Sequence, residues 1–146
     1  MSNIRQAKSK DLARVAEIEV FNYRLNFYPI FKNNQFYFSE LQVPSQMEKY
    51  KSQVRDIWVY DDGVVKGFVQ VNNGQINKLF VEPVLQGQEI GAALIDHAIS
   101  NLGARTLWAL EKNVRAISFY ERHGFRLTSD KMLEEGTKEY LVRLER

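Results

Sequence analysis

The sequence predicts a mixed α/β fold, one central and mostly antiparallel sheet with helices on both faces. Three observations predict it. Apolar residues recur at helical spacing through Leu12, Val15, Ile18, Phe21 and Leu25, then alternate from Ile57 onward. Two turn signals, Asp62-Gly63 and Asn72-Asn73-Gly74, punctuate the alternating stretch as hairpins. A strand–helix–strand run from Ile76 to Leu110 follows, and such a crossover makes its two strands parallel with a right-handed connection.

Taken in order, Ile4 to Ala7 reads as a short first strand. Ser9 is placed as the N-cap of the next helix, with Asp11 favourable in its first turn. That helix is expected to end before Pro29, because proline lacks the N–H a continuing helix needs. Ile30 to Tyr50 reads as loop plus one or two helices, the last opening near Ser45. Strands are predicted at Ile57 to Tyr60, Val64 to Val71 and Ile76 to Val81, the last stopped by Pro83. Ile90, Leu94 and Ala98 share one side of a helix over Ile90 to Asn101, with Gly103 as its cap. Thr106 to Leu110 is the fifth strand, and Asn113 to His123 the last helix. A closing hairpin, Phe125 to Leu133 and Glu139 to Leu144, turns at Glu135-Gly136-Thr137.

Composition narrows the function classes. With 146 residues, 45% of them hydrophobic, the chain fits one domain over 1–146 with a substantial core. A net charge of +2 is too small to argue for nucleic acid or membrane as partner. The chain has no cysteine, which excludes disulfides, thiolate metal ligands and cysteine nucleophiles. Two isolated histidines, His97 and His123, give no metal site and read as helix-surface residues. No leader-like apolar segment or membrane-length run appears, so a cytoplasmic location is expected.

Two segments carry chemistry. Gln86-Gly87-Gln88-Glu89-Ile90-Gly91 is a turn opening a helix, where free N–H groups and the helix dipole favour a bound phosphate. Asn113 to Phe125 is an amphipathic helix in which Ala116, Phe119 and Tyr120 share a face and Gly124 occupies the left-handed cap position. Together they resemble the two signature segments of the GNAT superfamily of acetyl-CoA-dependent N-acetyltransferases, over roughly Gly67 to Phe125.

The resemblance implies that the fourth and fifth strands splay apart and that coenzyme A enters the gap, the acyl-CoA N-acyltransferase fold. Gln86 to Gly91, with Ala92, would wrap the pyrophosphate. Gln86, Gly87 and Gly91 match the family pattern, while Glu89 stands where glycine is usual. At a positive φ that residue costs about 1 kcal/mol, and its carboxylate opposes the anion. Leu79, Phe80 and Val81 would pair their main chain with the pantetheine arm, one N–H polarising the thioester carbonyl. Asn113 would bond that arm, or serve only as an N-cap. Ala116 would admit the cofactor to the helix, Phe119 would be core, and Arg122 would reach a phosphate.

By the same resemblance Tyr120 is the general acid that protonates the leaving sulfur, its alternative being a packed tyrosine with an ordinary partner. The positions where relatives often carry a base fall near Gln75 and Trp108, neither of which takes a proton. Glu82, Glu111 and Glu19 are carboxylates able to act through water, or plain surface and ion-pair residues. No base is assigned. The acceptor side would use the first helices, with their aromatic run of Phe21, Tyr23, Phe27, Tyr28, Phe31, Phe36, Tyr37 and Phe38, and the final hairpin. An aromatic lining suits an amine cation. The implied function is acetyl transfer to a primary amine by direct attack in a ternary complex, the alternative a non-catalytic acyl-CoA-binding module. Dimerisation through the last strands is common in the family.

Overall fold

The computed structural model describes residues 2–146. Seven strands form one sheet in the order β1-β2-β3-β4-β5-β7-β6, built by β1 (Ile4–Gln6), β2 (Ile57–Asp61), β3 (Val65–Asn72), β4 (Gln75–Val81), β5 (Thr106–Leu110), β6 (Arg126–Leu133) and β7 (Tyr140–Glu145). Among the described residues only the β4–β5 pair is parallel. The helices are α1 (Leu12–Asn22), α2 (Tyr28–Phe31), α3 (Val43–Tyr50), α4 (Ile90–Leu102) and α5 (Val114–Arg122).

The sheet separates two cores, as its covered faces require. On one face Leu12, Val15 and Ile18 of α1 and Tyr50 of α3 pack on Ile57, Val59 and Phe68. On the other, Ile90, Leu94, Ile95 and Ala98 of α4 pack on Val69, Val71 and Ile76, with Phe119 and Tyr120 of α5 at the margin. Gly67 sets how closely α4 approaches. A Cβ there would lie 2.9 Å from the Phe80 carbonyl oxygen and 3.0 Å from Leu94 Cδ1. Asn73 and Gly74, both at positive φ, make the tight β3–β4 hairpin.

Three expectations change. Lys8, not Ser9, precedes the first helical turn, and its N–H donates to the Asp11 carboxylate at 2.8 Å. Arg5 pairs with the same carboxylate and holds it below the usual aspartate range. The helix does not stop before Pro29: residues Tyr23–Phe27 widen into a π turn, and the Tyr28 N–H reaches back to the Tyr23 carbonyl. A five-residue reach relieves the clash that proline imposes on the carbonyl four residues behind it. Finally, Phe21 and Leu25 are exposed, because beyond Ile18 the buried side of α1 passes through Glu19, Val20 and Asn22. Among the described residues no helix is long and apolar enough to cross a membrane.

Candidate active site

β4 and β5 pair only through Gln75–Thr106 and Ile76–Leu107 and then separate. The cause lies in the register of β4 against β3. Gln70 faces Lys78 but Val71 faces Ile76, so Asn77 is one residue too many. Such a bulge bends the strand that carries it. β5 meanwhile stays paired with β7 along its whole length. The two parallel strands therefore diverge from Asn77 onward and leave a cleft of about 1030 Å³, walled by Asn77–Val81 and Trp108–Leu110.

The opened side of β4 offers main-chain groups. Glu82 N–H donates to the Lys66 carbonyl at 2.9 Å, across the β3 ladder. Because bonding alternates along an antiparallel pair, Phe80 and Lys78 also face β3, and Leu79 and Val81 face the gap. The Val81 carbonyl accordingly accepts from Asn22 Nδ2 at 2.9 Å. Of the three strand residues expected to meet a pantetheine arm, Leu79 and Val81 thus present backbone, whereas Phe80 presents its ring.

The start of α4 forms one end of the cleft. Gly87 sits at φ +89° and Glu89 at φ +64°, so the usual glycine position is left-handed here without being glycine. No side chain caps this helix. Its first internal bond is Ala93 N–H to the Glu89 carbonyl, so the N–H groups of Ile90, Gly91 and Ala92 are free to meet an anion. Gln86, Gly87, Glu89, Ile90, Gly91 and Ala92 all line the cleft, but Gln88 does not and is exposed. The Gln86 amide reaches the Val81 carbonyl and Asn22, each at 3.4 Å, tying the turn to β4 and α1. Arg122 lines the same cleft, and so does Arg115, which the sequence reading did not single out.

α5 forms the wall beside β5. Asn113 Oδ1 accepts from Ala116 N–H at 3.3 Å, the N-cap role, while also lining the cleft. Phe119 packs its ring 3.5 Å from where a Gly91 Cβ would stand. Tyr120 is held edge-on between Phe119 and Phe125, ring centroids 5.3 and 5.9 Å away. Gly124, at φ +92°, turns the chain so that Phe125 N–H returns to the Tyr120 carbonyl at 3.1 Å. The Tyr120 side chain reaches the cleft, and burial raises its phenol above the ordinary tyrosine value, so the group stays protonated.

The other end of the cleft is aromatic. Tyr23, Phe27, Phe31, Phe36 and Tyr37 line it; Phe21, Tyr28 and Phe38 do not. Two π turns, Tyr23–Phe27 and Phe36–Glu40, carry all of them but Phe31, which ends α2. Burial and the nearby Glu19 charge raise Tyr23, and burial with the Glu134 charge raises Tyr37 to about 12. The β6–β7 hairpin closes this end with Glu134, Glu135, Gly136 and Thr137.

None of the three carboxylates considered as bases lines the cleft. Glu82 pairs with Arg14 at 2.7 Å and Glu111 with Lys131 at 2.9 Å. Glu19 is fully buried and bonded to Gln46, Tyr50 and Lys78. The histidines are not surface residues either. His123 lines the cleft with its ring on Phe119, and His97 is half-buried against Trp58 with Nε2 unpartnered. The sequence reading also missed Asn22, Asn26, Asn77, Lys78 and Glu134 as cleft residues. The only signal for Asn22 was polarity on an otherwise apolar helix face; the bulge that exposes Asn77 leaves none. Among the described residues no cluster of metal-ligating side chains occurs.

Comparison with known proteins agrees with this geometry. Residues 53–127 match the acetyltransferase (GNAT) domain. The peptidyl-lysine N-acetyltransferase YjaB of Salmonella typhimurium is 30% identical over 86 residues, 58% of this chain and 59% of that protein. The match thus spans about three-fifths of that relative's length. Apo YjaB of Escherichia coli has the same fold, with a TM-score of 0.72 at 21% identity, covering 97% of this chain and 95% of that one. So does yncA of Salmonella typhimurium, solved with its cofactor acetyl-CoA: TM-score 0.68, 20% identity, 98% of this chain and 91% of that one. A family match over more than half of the chain, on a sheet that parts between its only two parallel strands, means that the chain belongs to the GNAT acetyltransferase family.

Proposed function

We propose that this protein transfers an acetyl group from acetyl-CoA, as acyl-donor substrate, to a primary amine, and that the amine is a lysine side chain of a peptide or protein. One observation carries the reading: an uncapped helix N-terminus, an unpaired strand edge and a protonated phenol line one cleft. Each matches a different part of the donor. The free N–H groups of Ile90 to Ala92 suit a diphosphate, and Arg115 and Arg122 line the same cleft with positive charge. The edge of Leu79 and Val81 suits the amide-bearing pantetheine arm, and their N–H groups polarise the thioester carbonyl. Tyr120 gives its proton to the departing thiolate.

The relative with the YjaB name is a peptidyl-lysine enzyme, and the aromatic, carboxylate-bearing end of the cleft fits an alkylammonium. We take both substrates to occupy the cleft together, because one cleft is lined by the start of α4, by Tyr120 and by the aromatic end. The test is acetyl-CoA-dependent acetylation of a panel comprising lysine peptides, free N-terminal peptides and polyamines. Turnover of the lysine peptides supports the reading. Acetyl-CoA binding without thioester consumption on any amine would favour instead a non-catalytic acyl-CoA-binding module, the alternative that Glu89 motivates.

A further inference from the structure

Three carboxylates line the cleft, and Glu134 is half-buried where Glu89 and Glu135 are exposed. Glu19, Glu82 and Glu111 each have a cationic partner, and Glu139 pairs with Lys112 at 2.6 Å. Glu134 is half-buried at the cleft, yet among the described residues its carboxylate has neither an ion pair nor a hydrogen bond. Its main chain is fixed nonetheless. Glu134 N–H donates to the Glu139 carbonyl at 2.8 Å, and the Glu134 carbonyl accepts from both Thr137 N–H, at 3.1 Å, and Thr137 Oγ1, at 2.8 Å. The side chain therefore projects from a pinned hairpin into a wall shared with Tyr23 and Tyr37, close enough for its charge to act on both phenols. A carboxylate partly removed from water and left without a counter-ion is costly unless a ligand supplies the positive charge.

We propose that Glu134 receives the ammonium of the acceptor amine and takes its proton. This deepens the acetyltransferase reading and rests on it. Glu134 carboxylate accepts one proton from R–NH3+, giving R–NH2 and a neutral carboxyl. The free amine attacks the thioester carbonyl, forming the C–N bond and a tetrahedral intermediate. That intermediate collapses with cleavage of the C–S bond, the thiolate takes the Tyr120 proton, and the second nitrogen proton restores the phenol. Glu134 then releases its proton to solvent. The other titratable groups lining the cleft are Tyr23, Tyr37, Lys78, Glu89, Arg115, Tyr120, Arg122, His123 and the neighbouring Glu135.

Glu134→Gln tests this, with Glu121→Gln, an exposed carboxylate outside the cleft, as control and Glu134→Asp as the variant that keeps charge but shortens reach. The expected result for Glu134→Gln is about a 100-fold loss of kcat/KM on a lysine peptide. Its acetyl-CoA affinity and melting temperature match the parent, and the loss narrows as pH rises toward the amine's own pKa, near 10. Glu134→Asp recovers part of the rate and Glu121→Gln keeps all of it. A Glu134→Gln variant with parental rate and pH profile would overturn the proposal while leaving the transferase reading intact. A parent that binds acetyl-CoA but acetylates no amine would overturn that reading, and this one with it.

Discussion

Lys78, on the bent strand β4 and lining the cleft, forms an ion pair with the fully buried Glu19 of α1. Gln46 and the Tyr50 hydroxyl bond the same carboxylate, so one charge joins α1, α3 and the splayed strand. Lys78→Met leaves that carboxylate buried without a counter-charge. Unfolding free energy by urea titration is expected to fall by about 3 kcal/mol. An unchanged midpoint would mean the lysine is dispensable to the packing of α1.

Tyr120→Phe removes a hydroxyl that bonds no other side chain. The expected effect is about a 100-fold loss of kcat with the acetyl-CoA dissociation constant unchanged. Stability at pH 8 stays within about 0.5 kcal/mol, since no packing is lost. Equal turnover in variant and parent would take Tyr120 out of the chemistry.

Alkaline pH should destabilise the fold. Burial raises the phenols of Tyr23, Tyr37, Tyr50 and Tyr120, with Glu19 adding to the shift at Tyr23 and Tyr50. In the unfolded chain these groups ionise near pH 10. Above that pH the unfolded state sheds protons that the folded state keeps, so stability is full below about pH 10 and declines as pH rises further. Urea midpoints between pH 8 and 11 read the slope, and Tyr120→Phe should flatten it without changing the pH 8 value.

Glu89→Gly isolates the departure at the phosphate turn. The left-handed backbone at φ +64° costs a glutamate about 1 kcal/mol, and glycine loses nearly as much in chain entropy, so stability changes little. Affinity for acetyl-CoA should rise several-fold at low salt because a carboxylate leaves the anion site, and the gain should shrink at high salt. Weaker binding by the variant would mean that Glu89 contributes to the donor site.

Much of this was legible in the sequence. Turn residues and alternation placed β2 to β4 within a residue or two, because Asn73-Gly74 and Asp62-Gly63 admit few other conformations. Gly103 and Gly124 ended α4 and α5 where expected for the same reason. The helical region 23–40 was not legible, since π turns have no residue signature and Pro29 ordinarily ends a helix. Of the site, the turn and helix motifs were readable because their chemistry is local. Glu134 was not, since its meaning depends on which residues lie across the cleft.

The central claim is that the slot between β4 and β5 seats the acyl donor, its diphosphate on the first turn of α4. Titrating the amide NMR spectrum of the 15N-labelled protein with acetyl-CoA tests this most directly. Saturable shifts should concentrate on Gly87 to Ala92 and on Leu79 and Val81. Saturable binding that leaves those amides unmoved would contradict the account.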